Sequence, residues 1–111
     1  MKKKLVNLTS RIIVLWTPQG RVEYPSLRRA DVVTNREVIC DSPRLIRNRY
    51  KWVVGLPEPE DGTYYIVSRV VGKALPYRLD LVTPTMFERD GDGNIVACRA
   101  FELINDAVFD D

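Results

Sequence analysis

Four short runs carry the residue types from which a site could be built. In RLIRNRYKW, residues 44–52, the cations Arg44, Arg47, Arg49 and Lys51 interleave with Tyr50 and Trp52. Cations neutralise phosphates and aromatic faces stack on bases, so this run suits a nucleic acid. Strand alternation, however, places Arg47, Arg49 and Lys51 on one face and Ile46, Asn48, Tyr50 and Trp52 on the other, as on a solvated strand above an apolar core. Ser68-Arg69 falls where a strand gives way to a short helix. Free N–H groups at a helix start attract anions and Arg69 could clamp one, but Ser68 as a plain N-cap is the simpler reading.

Asp90-Gly91-Asp92-Gly93-Asn94 invites calcium. An EF-hand loop counted from Asp90 needs glycine at its sixth position and glutamate at its twelfth, and this chain has Ile95 and Phe101 there. The run is therefore a hairpin turn, and no metal site is expected. Glu58, Glu60, Asp61, Glu88, Asp90 and Asp92 all fall in predicted loops, where carboxylates are ordinarily solvated. Asp80, just before Leu81-Val82, is the exception. An Asp80/Glu88 hydrolase is a minor reading, because no nucleophile stands beside either residue.

Absences narrow the chemistry further. The chain has no histidine, which removes the commonest general base and metal ligand together with Ser-His and Cys-His nucleophile pairs. It carries neither a Walker pattern nor G-x-G-x-x-G. Catalysis is not expected, and neither is a cofactor. Cys40 and Cys98 are too few for a disulfide framework and are expected as buried free thiols, with a single bridge as the alternative.

These residues need a scaffold, and 111 residues with 45% hydrophobic content suit a single domain, 1–111. The longest apolar run, Ile12–Trp16, is far short of a membrane span, and the basic N-terminus is not followed by the apolar stretch of a signal peptide. The cytoplasm of a host cell is the expected location, with no membrane partner. Ile12–Trp16, apolar on both faces, is expected as a central buried strand. Pro18-Gln19-Gly20 turns it into a hairpin with the RVEY strand. A second hairpin is expected across ADVVTNREVIC, turning at Thr34-Asn35, and LIRNRYKWVVGL alternates as a strand.

The prolines of Pro57-Glu58-Pro59-Glu60-Asp61-Gly62 mark a stiff solvated connection, and its acids keep the following strand, TYYIV, soluble while unfolded. RVVGKAL gives one or two turns of helix, weakened by Gly72 and stopped by Pro76. DLVTPTMF reads as a short strand turning at Thr83-Pro84. A last hairpin closes around 90–94, with Ile95, Ala97, Arg99, Phe101 and Leu103 sharing a face. The expected fold is α+β and predominantly antiparallel β. It is a sheet or partly open barrel of about six to eight strands with one short helix near 69–75.

Net charge is +2, unevenly spread. Residues 1–55 hold 12 Lys/Arg and 4 Asp/Glu, or +8, and residues 56–111 hold 5 and 11, or −6. Opposite charges on neighbouring strands would cancel this inside the fold. Otherwise the halves could associate head to tail between copies as a homo-oligomer.

NLTSR near the start, GLPEPEDGTYYIVS, DLVTPT and RDGDGNIVACRAF occur in the order of a family of small tailed-phage and prophage proteins. The chain resembles that family across its second half and more weakly at its first strand, with little of the pattern in residues 17–52. Asn7, Thr9, Gly62, Thr63, Ser68, Asp80, Pro84, Asp90 and Arg99 match the pattern, whereas Ser10-Arg11 stands where it has Pro-His. The resemblance implies a viral origin and supplies no catalytic residue. Asn7, Ser68, Arg69, Asp80 and Arg99 are the candidate ligand-binding residues. Arg99, on an apolar face, is expected to pair with Asp80.

The leading expectation is a non-enzymatic binding protein. It would sequester a host factor or a small anionic ligand, or join an assembly with a host or viral protein. The alternative is a nucleic-acid-binding module built on the basic strand at 44–51.

Overall fold

Thr63 to Ile66 form the least exposed strand of the chain, and the architecture is built outward from it. The computed structural model describes residues 3–105, and for residues 50 and 51 the backbone only. In chain order the strands are β1 (Lys4–Asn7), β2 (Ile13–Thr17), β3 (Gly20–Tyr24), β4 (Asp31–Asp41), β5 (Arg44–Val54), β6 (Thr63–Ile66), β7 (Leu81–Arg89) and β8 (Ile95–Leu103). One helix, α1 (Arg69–Ala74), lies between β6 and β7. Six strands make one sheet in the order β1-β6-β7-β8-β2-β3, and β4 and β5 form a separate two-stranded ribbon. The protein is thus β-rich with one short helix, as its composition and alternation predict.

The six-stranded sheet is mixed. β6 runs parallel to β1 and β7, and β2 parallel to β8, while β7–β8 and β2–β3 are antiparallel. The parallel ladders are short: β2 and β8 share the single register pair Leu15↔Cys98. The long ladders, β4–β5 and β7–β8, are antiparallel. Parallel strands need a crossover rather than a tight turn, and residues 67–80 with α1 supply it between β6 and β7.

The core gathers where this crossover returns. Leu8, Ala30, Tyr65, Val67, Val71 and Leu81 are buried together, with Val6, Val32, Val53, Leu56, Leu75 and Ile104 packed around them. Val32 and Val53 belong to the ribbon, so its base is rooted in the core. Ser68 has extended backbone and its hydroxyl accepts from the Val71 amide at 3.3 Å, the N-cap expected of it. Gly72 is explained by packing. A Cβ there would lie 2.4 Å from the Ile104 side chain. The Asn105 side-chain amide donates to the carbonyls of Gly72, Leu75 and Arg78 at 2.8–3.1 Å and satisfies the end of the helix.

Four expectations are corrected. β4 passes through Thr34 and Asn35 without turning, with register shifts at Val33/Thr34 and Val38/Cys40. A two-residue hairpin turn needs positive φ, which β-branched threonine resists. The chain turns instead at 41–44, through the breaker Asp41-Ser42-Pro43. Thr83-Pro84 is not a turn either. β7 continues to Arg89, and its ladder with β6 ends at Val82. From Pro84 onward that side of β7 is an edge, where proline's missing N–H costs no ladder bond.

β2 is an interior strand, between β8 and β3, but half-buried rather than buried, and Trp16 is exposed. Helix α1 packs against β4, β5 and β7 and not against β2. Finally, Cys98 is a buried free thiol but Cys40 is an exposed one, because the ribbon that carries it stands clear of the core.

Candidate interaction surface: the 31–54 arm

The β4–β5 ribbon is the most conspicuous feature of the surface. It pairs from Asp31↔Val54 at its base to Asp41↔Arg44 at its tip. Ten residues at roughly 3.3 Å each carry the tip about 33 Å from the root. The Cα radius of gyration is 16.7 Å, against roughly 13 Å for a compact chain of about this length. We refer to this ribbon as the arm.

Register fixes what each face presents. Val38↔Ile46 and Arg36↔Asn48 lie on one face, and Glu37↔Arg47 and Asn35↔Arg49 on the other. Glu37 is shared by two guanidinium groups, at 3.3 Å from Arg49 Nε and 4.0 Å from Arg47 Nη1. Arg36 and Arg44 join no ion pair among the described residues. Val38, Ile39, Leu45 and Ile46 are exposed although apolar, and Trp52, nearer the base, is 55% exposed. A two-stranded ribbon has no second layer with which to cover such side chains. Arg44, Arg47, Arg49 and Trp52 are thus together on the arm, the arginines at 47 and 49 facing away from Ile46. The side chains of Tyr50 and Lys51 lie outside the described residues.

The other candidate residues do not converge. Asn7 is buried and fully used: its amide donates to the carbonyls of Arg11 and Tyr24, and its Oδ1 accepts from the Thr9 amide and hydroxyl. Ser68 caps α1, and Arg69 makes an exposed pair with Glu102 at 3.5 Å. The expected Asp80–Arg99 pair is not formed. Arg99 is exposed and bonded to Glu88 across the β7–β8 ladder. Ile95 and Leu103 on the same face are exposed, although Ala97 is buried, and Arg99, itself exposed, needs no buried partner.

Asp80 instead holds Arg78, a residue that pattern reading passed over. Arg78 Nε and Nη2 meet Asp80 Oδ1 and Oδ2, each at 2.9 Å, in a bidentate pair whose side chains are 11% and 17% exposed. Arg78 Nη2 also donates to the Pro57 carbonyl at 3.0 Å, and the guanidinium lies 6.0 Å from the Tyr65 ring centroid. Tyr65 Oη donates to the Glu58 carbonyl at 3.3 Å. Its hydrogen bond to Asp80 raises the Arg78 pKa above the ordinary arginine value, and burial raises that of Tyr65. Together they clamp the Pro-Glu-Pro connection to the sheet. The Arg-x-Asp spacing was the available signal, but adjacent side chains on an extended segment give no hint of burial.

Two grooves flank this clamp. One, of about 430 Å³, lies between the arm's base at Val32, Trp52 and Val53 and the end of the helix at Ala74 and Leu75. The other, of about 510 Å³, runs between the 59–62 connection and residues 77–80. Tyr77 and Arg78 line both.

Among the described residues no three of Cys, Asp and Glu gather as a metal-binding group, and no helix is long and apolar enough to cross a membrane. No family model, curated protein or solved structure matches the chain.

Proposed function

We propose that the chain is a non-enzymatic binding protein, an assembly component of viral origin, that engages a macromolecular partner through the 31–54 arm. One observation carries this reading: a ribbon reaching clear of the core exposes Val38, Ile39, Leu45 and Ile46 alongside its arginines. Apolar side chains on so thin an element have nothing of their own fold to pack against. Exposed apolar side chains gathered toward one end of such an element suit a surface completed by association. Arginine among apolar anchors is the composition of the centre of an interface. The viral origin rests on the resemblance of the NLTSR, LPEPEDGTYYIVS and RDGDGNIVACRAF runs.

The test is to replace residues 35–49 by Asn-Gly, which closes the ribbon above its root at Val32 and Val53. Affinity-tagged chain expressed in its native cells should retain a stoichiometric partner that the shortened chain loses, with a melting temperature within a few degrees of the parent. Retention of the same partner without the arm would overturn the reading. So would steady turnover of a nucleotide or ester by the pure protein.

A second reading is favoured by the excess of Arg36, Arg44, Arg47 and Arg49 over Glu37 and Asp41 on the same segment. On it the arm enters a nucleic-acid groove, which admits a two-stranded ribbon. Retained nucleic acid whose affinity falls steeply with salt, with a flatter slope in R47Q/R49Q, would select it.

A further inference from the structure

The seven ion pairs among the described residues all join partners in the same half of the chain. Arg21–Glu23, Arg29–Asp31 and the two pairs to Glu37 lie within 1–55, and Arg69–Glu102, Arg78–Asp80 and Arg99–Glu88 within 56–111. The expected cancellation of +8 against −6 by pairing between the halves is therefore absent from them. Each half leaves a surplus at a definite place. The arm, 31–54, carries Arg36, Arg44, Arg47, Arg49 and Lys51 against Asp31, Glu37 and Asp41.

The opposite surplus lines the 510 Å³ groove. Glu60 and Asp61 form one wall with Lys3 nearby, and Glu58 belongs to the same connection. None of these three acids joins an ion pair among the described residues, and the Arg78–Asp80 pair at the groove is neutral. The charged lining of the groove (Lys3, Glu60, Asp61, Arg78, Asp80) sums to −1, and Glu58 on the same connection brings it to −2, against +2 on the arm. The groove also presents Tyr64, Tyr77 and Leu79, with Tyr77 74% exposed. Aromatic faces beside carboxylates receive a guanidinium by cation–π and charge-assisted contact, and Leu79 offers apolar surface.

A chain cannot make this contact with itself. The groove adjoins the arm's own root, since Tyr77 and Arg78 also line the groove against Trp52 and Val53. The arm pairs with itself from root to tip, and ten residues carry that tip up to about 33 Å from the root.

From this geometry we infer that the arm of one copy docks into the groove between 59–62 and 77–80 of a second copy. The contact is head to tail, and repeating it gives a ring or an open filament. The inference rests on the arm being a contact surface and adds its partner: another molecule of the same chain.

Cys40 provides the test without mutation, because it is exposed on the arm while Cys98 is buried. The protein is prepared in light and nitrogen-15 forms, mixed, labelled at Cys40 with a benzophenone maleimide and photolysed. Cross-links are expected between light and heavy chains, from Cys40 to peptides within 56–64 or 77–80. Light scattering should give a mass above the 12.8 kDa monomer at low salt, falling toward it at 1 M salt as the charges are screened.

Reversing the groove (E58K/E60K/D61K) or the arm (R44E/R47E/R49E) should leave each variant monomeric. Mixing the two should restore a heterodimer, through the acidic arm of one in the basic groove of the other. A parent chain that is monomeric at 100 µM and low salt would overturn the inference, as would cross-links confined to other peptides or a mixture that stays monomeric. A monomeric parent whose native partner is still lost on shortening the arm would sink self-docking alone. If shortening the arm costs no partner either, the arm is not a contact surface.

Discussion

At the scale of single residues, identity and context often disagree about what a side chain is for. Gly72 looks like a weakness in a short helix, since alanine is favoured there by about 1 kcal/mol on propensity. With Ile104 at 2.4 Å from where a Cβ would stand, overpacking outweighs that gain. Gly72→Ala is therefore expected to lower stability by about 1–3 kcal/mol in denaturant titration, and an unchanged or raised midpoint would refute this packing. Tyr65 and Cys98 make a second case. Burial raises both pKa values in the folded state, so the folded chain holds protons that the unfolded chain releases sooner. Their contribution is complete below the unfolded pKa of each group and is lost as pH rises through the folded one. The melting temperature should then fall above about pH 9, where unfolded cysteine and tyrosine ionise. The fall should be shallower in Tyr65→Phe, although that variant starts lower for want of the bond to Glu58. An equal slope in the parent and the variant would count against a buried phenol.

At the scale of elements, the contrast is between strands that share a core and the ribbon that does not. β6 and the start of β7 are buried between neighbours, whereas beyond Val33 and Trp52 the arm is held mainly by its own ladder. An isolated two-stranded ribbon is at best marginally stable in water. In the monomeric chain, amides of residues 35–49 should exchange orders of magnitude faster than those of 63–66 and 81–83. They should slow when the arm is docked. Protection of the arm equal to that of β6 in a monomer would show that it is packed against the domain.

At the scale of the whole molecule, charge and shape point the same way. Among the described residues the ion pairs stay within each half of the chain, and the molecule reaches 55 Å along its longest axis. The two grooves beside the Arg78–Asp80 clamp are open to solvent and share walls with the arm's root, so the clamp also fixes the groove with respect to the arm.

Some of this follows from the residues alone. The hairpins at 18–20 and 90–94, the Ser68 cap, the alternation of 44–54 and the β-rich class are local matters, decided by φ preferences, capping hydroxyls and period-two patterns that act over a few residues. The rest needed residues distant in sequence to meet. That Val32 and Val53 root a ribbon whose remainder is bare, that Arg78 rather than Arg99 holds Asp80, that Pro84 sits where a neighbouring strand has ended, and that Gly72 makes room for Ile104 all depend on which elements become neighbours. Local propensity carries no information about that, because burial and pairing are set by the free energy of the whole packed chain.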